Sequence, residues 1–296
     1  MITKRTNFMD ALFRSCNLVF FLIVAFVCTY PFYYILIYTI SDPVKAAGGL
    51  LLLPIGLNFV NYEKLLQTPT LYSTAVISIL RTVIGTFVTV ACCTFFSYIV
   101  TKQELYFRKF IYRFVVITLY FNAGLIPWYL TMRFMHLDNN FLLYVLPSAI
   151  SGFYIVLIKT YIEQLPAALE ESAMMDGAGY WTVFNKIIVP LSLPIIATIA
   201  VFAAVGQWNA WQDNYFLVSK PSLQTLQVML YNYLNSAAAM ANVNPSDILD
   251  KSAAHKLTPE SIKMTMTMIV TLPILFVYPF MQRYFVKGIM LGAVKG

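Results

Sequence analysis

Four carboxylates, Glu163, Glu170, Glu171 and Asp176, stand close together in a chain in which only 11% of residues are charged. Carboxylate pairs can hold a metal or move protons. Here no His or Cys accompanies them at a ligand spacing, and the sequence contains no HExxH or GxSxG motif. His136 and His255 lie far apart in separate polar loops. The chemistry left to the acidic group is recognition, through ion pairs and hydrogen bonds to water or to another protein. Ala167 to Met175 consists of good helix formers, Pro166 suits a first turn, and Asp176-Gly177 suits a turn or a left-handed cap. The spacing predicts a short exposed helix with Leu169, Ala173 and Met174 as a small apolar patch beside Glu170 and Glu171.

A second group is Gln207, Trp208, Asn209, Trp211, Gln212, Asp213, Asn214 and Tyr215. Aromatic faces stack on sugar rings, and amides or carboxylates bond their hydroxyls, so this composition suits a carbohydrate path. Trp and Tyr are also ordinary residues of a membrane interface, which is the plainer account of any one taken alone. Tyr120 and Asn122 are further cavity candidates, and Arg81 is a charge inside an apolar run. Such an Arg either faces a cavity or a partner, or snorkels to the interface from a helix that begins later; the sequence leaves both open.

The elements carrying these groups follow from composition. Apolar residues make up 59% of the chain, whereas a soluble domain has about 45–50% apolar and about 25% charged residues. Helices of about 20 apolar residues can cross a hydrocarbon core of about 30 Å. Runs of that kind occur at about 18–40, 72–100, 114–131, 141–161, 187–206 and 263–284, and the alternation of a membrane barrel is absent. The expectation is an all-α membrane protein of six transmembrane helices, one transmembrane domain over residues 1–296. The first run exceeds a cleavable signal core and reads as a retained span. The acidic loop, about 165–186, belongs outside the bilayer, because a carboxylate in hydrocarbon costs a few kcal/mol or more.

Lys and Arg set the orientation. Lys4, Arg5, Arg14, Lys102, Arg108, Lys109, Arg113, Lys159, Lys186, Arg283, Lys287 and Lys295 fall on the side of the acidic loop. The other side carries fewer, much of it on longer loops: Lys45, Lys64, Arg133, Lys220, Lys251, Lys256 and Lys263. Both termini and the acidic loop are therefore expected in the cytoplasm, with the polar loops from Ser41 and from Gln207 facing outward. The formal charge of +7 reports topology here, and no nucleic-acid partner is expected. Cys16, Cys28, Cys92 and Cys93 lie in or beside spans and make no disulfide framework or metal site. No GxxxxGK[ST] loop is present, so an energy source by ATP hydrolysis would have to be separate.

Glu171-Ser172-Ala173, Asp176-Gly177-Ala178, Phe184, Ile187, Val189-Pro190-Leu191 and Pro194 resemble the EAA motif of ABC importer permeases, with Ser172 for the second Ala and Val189 for Leu. The segments Arg81 to Thr86, Phe121 to Pro127, Gly206 to Trp211 and Gln282 to Gly288 are similar to carbohydrate-uptake permeases of the maltose-permease type, so the resemblance covers almost the whole chain. Within that group it looks closest to an LplC-like or YtcP-like branch associated with oligosaccharide and polysaccharide-fragment uptake.

The resemblance implies a type I ABC importer permease fold and a bacterial inner or plasma membrane location. It also implies a coupling helix that docks in an ATPase cleft, contacted or shaped by Glu170, Glu171, Ser172, Ala173, Asp176, Gly177 and Ala178. The implied partners are two ATPase subunits, which bind the ATP and Mg, a second homologous permease chain and an extracytoplasmic solute-binding protein. No cofactor and no metal belong to this chain on that reading, and it is no enzyme. The candidate sugar path comprises Tyr120, Asn122, Trp208, Asn209, Trp211, Gln212 and Asn214. A permease for a non-sugar solute is the alternative. A stand-alone secondary transporter would need an acidic residue at a span centre, and none is found there.

Overall fold

The computed structural model describes residues 8–46, 49, 52–241 and 258–293. His255 and the last part of the expected outward loop lie outside the described residues. The described residues pack as two units, those of Met1–Gln67 with Tyr233–Ile269 and those of Thr68–Asn232 with Val270–Gly296.

In the first unit, α1 (Phe8–Thr39) is followed by the short helices α2 (Pro43–Ala46) and α3 (Val60–Leu66). Ile37, Tyr38 and Ala46 are buried together at the end of α1, with Met264 against them. The Thr39 and Tyr62 hydroxyls hydrogen-bond at 2.8 Å. Most of α1 is an exposed apolar surface, including Phe13, Phe20 and Phe26, which only lipid or another apolar chain can cover.

The second unit is built on α4 (Pro69–Thr101). In order follow α5 (Arg108–Tyr120), α6 (Leu125–Phe134), a 3-10 turn at Phe141–Tyr144, α7 (Gly152–Ile162), α8 (Ala167–Met175) and α9 (Tyr180–Val183). A π-helical turn at Phe184–Ile188 leads into α10 (Val189–Leu191), α11 (Leu193–Asn209) and α12 (Gln212–Leu217). A 3-10 turn at Pro221–Leu223 precedes α13 (Leu226–Ala241), which belongs to this unit up to Asn232; α14 (Pro259–Ala293), the last helix, belongs to it from Val270.

Among the described residues three helices are long and apolar enough to cross a membrane: Met9–Thr39, Pro69–Thr101 and Glu260–Val277. Tyr180–Leu191 with Leu193–Asn209 makes a fourth when taken as one span bent by 79°. The apolar runs at 114–131 and 141–161 are not continuous helices. The first is interrupted at Phe121–Gly124, where Gly124 has φ +82° and its N–H bonds Asn122 Oδ1 at 2.9 Å. In the second, the 3-10 turn at Phe141–Tyr144 is followed by irregular backbone, and the α-helix begins only at Gly152 and lasts 11 residues. The polar loop beginning at Gln207 is also substantially helical, through α12 and α13.

Non-helical backbone inside an apolar run must find partners within the protein. Some of these come from α4, on which Thr74, Ser78, Arg81, Gly85, Thr89, Cys93 and Ser97 form one buried stripe at three- and four-residue spacing. Thr89 Oγ1 donates to Ser148 O at 2.8 Å and Cys93 Sγ accepts from Ser151 N at 3.4 Å, both outside regular helix, while Ser97 Oγ donates to Ile155 O within α7 at 3.1 Å. Hydropathy reads the second run as a span because its residues are apolar; Thr89 and Cys93 meet its backbone where it leaves the helix.

Candidate functional site

The acidic segment folds as expected into a short helix, with no buried residue. Its end is a Schellman turn: Gly177 N–H bonds Met174 O at 3.0 Å and Ala178 N–H bonds Ala173 O at 2.9 Å. Gly177 adopts φ +85°, which glycine reaches without a Cβ clash. Ala173 and Ala178 both pack on the core that contains Val183 and Phe184. The expected apolar patch is therefore divided. Ala173 and Met174 face inward, while Leu169 and Met175 are exposed beside Glu171, Ser172 and Asp176.

The four carboxylates also separate by role. Glu170 pairs with Lys102 at the C-cap of α4 and accepts from Tyr98 Oη at 3.3 Å. Lys102 Nζ lies 4.0 Å from the centre of the Tyr98 ring. Glu163 takes Lys159 Nζ at 2.6 Å. Glu171 and Asp176 remain exposed. Glu170 thus ties α8 to α4, whereas Glu171 faces outward on the same helix.

Beyond α9, Pro190 has no N–H for the helix ladder and its ring crowds the preceding turn, which accounts for the π-helical turn at Phe184–Ile188. Pro194 occupies the first turn of α11, where a missing N–H is harmless. The two prolines frame the bend at Ser192.

A different site lies near the middle of α4, where Arg81 pairs with Asp213. About 26 Å of helical rise separates Tyr98 from Arg81. There a cavity of about 760 Å³ is lined by Asn122, Gly124, Leu125 and Trp128 from the α5–α6 break and by Gly206 and Asn209 to Asp213 from the α11–α12 corner. Trp211 is held by stacking on Tyr231, with ring centres 4.4 Å apart. Gln227 Nε2 donates to Asn209 Oδ1 at 3.2 Å. Aromatic faces and amides thus surround one opening.

The structure brings Asn122, Asn209, Trp211 and Gln212 to this cavity and leaves three expected residues away from it. Trp208 donates its indole N–H to Val270 O at 3.2 Å. Asn214 is buried and donates from Nδ2 to Tyr144 Oη and, at 3.1 Å, to Leu223 O. Tyr120 is 85% exposed and does not line it.

Arg81 is no snorkelling residue: it is 3% exposed and makes a two-pronged ion pair with Asp213, Nη1–Oδ1 3.0 Å and Nη2–Oδ2 2.5 Å. Trp128, Lys102 and the pairing role of Asp213 were not singled out from sequence. The usable signal was Arg81 itself, since a cation in an apolar run needs a counter-charge, and Asp213 follows closely on the α11 run.

Comparison with known proteins agrees across the chain. The polygalacturonan/rhamnogalacturonan transport system permease protein YtcP of Bacillus subtilis (strain 168) is 31% identical over 278 residues, 94% of this chain and 96% of that protein. Protein LplC of the same organism is 32% identical over 286 residues, 96% and 95% of the two chains. A chain in the crystal structure of a bacterial ABC transporter involved in the import of the acidic polysaccharide alginate superposes with a TM-score of 0.85 at 28% identity, covering 96% of this chain and 99% of that one. The described residues are all-helical in their regular structure, and the architecture is that of a type I ABC importer permease. Residues 2–291 match the family model described as binding-protein-dependent transport system inner membrane component, and the chain belongs to that family.

Proposed function

We propose that this chain is the permease subunit of an importer that moves carbohydrate, as oligosaccharides or polysaccharide fragments, into the cytoplasm by ATP-driven alternating access. The observation that carries the substrate class is the cavity between the α5–α6 break and the α11–α12 corner, where Trp128 and Trp211 accompany Asn122, Asn209 and Gln212. Stacking faces and amides are what sugar rings and their hydroxyls require. The names of YtcP, LplC's companion in similarity, and of the alginate importer support the same class.

In this reading α8 lies in the cytoplasm and docks on an ATPase subunit through its exposed side, Glu171, Ser172, Asp176 and Met175. Gly177 and Ala178 set the angle at which that surface is presented, and Glu170 holds it to α4. The ATPases bind the nucleotide and Mg; this chain adds no catalytic group. A second, different permease chain completes the pathway, and a solute-binding protein delivers the sugar from outside the bacterial cytoplasmic membrane. Closure of the ATPase pair favours the outward-facing state through its differential contact with α8.

The test is uptake of labelled short oligogalacturonides and arabino-oligosaccharides by cells with and without the gene. Loss of uptake of one class on deletion, restored by the intact gene, is expected. Unchanged uptake of both, with loss of a peptide or phosphate ester instead, would move the substrate out of the carbohydrates.

A further inference from the structure

We propose that Arg81 is a positioning residue for the transport path, holding the α11–α12 corner in the shape that forms the cavity wall without itself binding sugar. The proposal deepens the carbohydrate reading and depends on it only for one of its two readouts. The guanidinium is 3% exposed, and its donors go to three places on the corner. Nε reaches Gln207 Oε1 in the last turn of α11 at 3.1 Å, Nη1 reaches Ala210 O at the end of α11 at 3.1 Å, and both Nη atoms reach Asp213 in the first turn of α12. A helix end leaves carbonyls without partners, and here Arg81 takes one of them. From the far side the Tyr144 ring lies 4.6 Å from the guanidinium carbon.

Gly85, one turn further along α4, completes the socket. A Cβ there would come within 2.5 Å of Gln207 Nε2, so only glycine lets that amide lie against α4. Gln207 then bonds Arg81 through its oxygen and Ser148 Oγ, at 2.6 Å, through its nitrogen. Asn209, Trp211 and Gln212, the wall residues with sugar-binding chemistry, sit between the points that Arg81 holds. A lysine carries the charge but not the planar fork, and cannot serve all three points at once.

The test uses the whole transporter, purified as the assembled complex, with Arg81→Lys and separately Gly85→Ala, which changes no charge and pushes Gln207 from its socket. The first readout needs no sugar: amide hydrogen exchange over residues 209–217, with Ala167–Met175 as reference. The second is ATP hydrolysis stimulated by the binding protein and titrated with short oligogalacturonides, or with the oligosaccharide whose uptake the gene restores. Expected for Arg81→Lys are an exchange rate about tenfold higher in 209–217 and unchanged in α8, with the half-saturating sugar concentration raised about tenfold at unchanged basal and maximal hydrolysis. Gly85→Ala should move both the same way by less.

Exchange and half-saturation unchanged in both variants overturn the proposal. So does a lower maximal rate at unchanged half-saturation, the mark of a residue that serves stability alone. If the wild-type complex responds to no oligosaccharide while exchange in 209–217 still rises, the carbohydrate reading fails and the positioning role stands. If Arg81→Lys does not assemble, Gly85→Ala decides by the same criteria.

Discussion

Gly177 shows how a single residue can set the angle at which the surface proposed to dock on an ATPase is presented. Its φ of +85° closes the turn after α8 and lets Ala178 return to the core. An L-residue forced into the left-handed region costs about 1–2 kcal/mol. Gly177→Ala should therefore lower the melting temperature of the purified complex by a few degrees and reduce sugar taken up per ATP hydrolysed, both measurable on one preparation. Glu170 and Lys102 make a second residue-scale case. Removing one member strands the other in a partly buried site, whereas removing both leaves none. The double variant Lys102→Met with Glu170→Leu should melt closer to the wild type than either single variant, and melting curves of the three would show it. The Arg81–Asp213 pair is more buried, and Asp213→Ala should cost about 3–5 kcal/mol, seen as loss of folded protein from detergent extracts.

At the scale of the element, α4 does two things that hydropathy does not distinguish. It is apolar enough to span a membrane, and one stripe of it is a ladder of donors and acceptors for its neighbours. Thr89→Val removes the hydroxyl that serves Ser148 O in a part-buried site; a fully buried carbonyl left without a partner costs about 1–3 kcal/mol, which is the upper bound here. A lower melting temperature with no change in membrane insertion is the expected result. This stripe also explains what could be read in advance. The α8 helix and its glycine cap were legible because helix formers followed by Asp-Gly are a local signal. The breaks at Phe121–Gly124 and at 145–151 were not, since an apolar run is silent about whether distant side chains will satisfy its backbone. That Trp208 and Asn214 do not line the cavity was hidden for a related reason: which side chains of the stretch turn toward it depends on the helix end at Asn209 and the restart at Gln212.

For the whole molecule, the arrangement within the second unit places an exposed acidic helix at the C-terminal end of α4 and a cavity of aromatic and amide side chains near its middle, beside the Arg81–Asp213 pair. The family to which the chain belongs is described as a binding-protein-dependent transport system. The central claim is that α8 passes the work of a separate ATPase to the path. Its most direct measurement is uptake into proteoliposomes holding the complete transporter, with ATP hydrolysis followed in parallel, for the wild type and for Glu171→Arg combined with Gly177→Val. The account predicts normal insertion of the variant, continued hydrolysis and loss of ATP-dependent uptake. Unaltered uptake by that variant, or uptake by this chain alone without any ATPase, would contradict it.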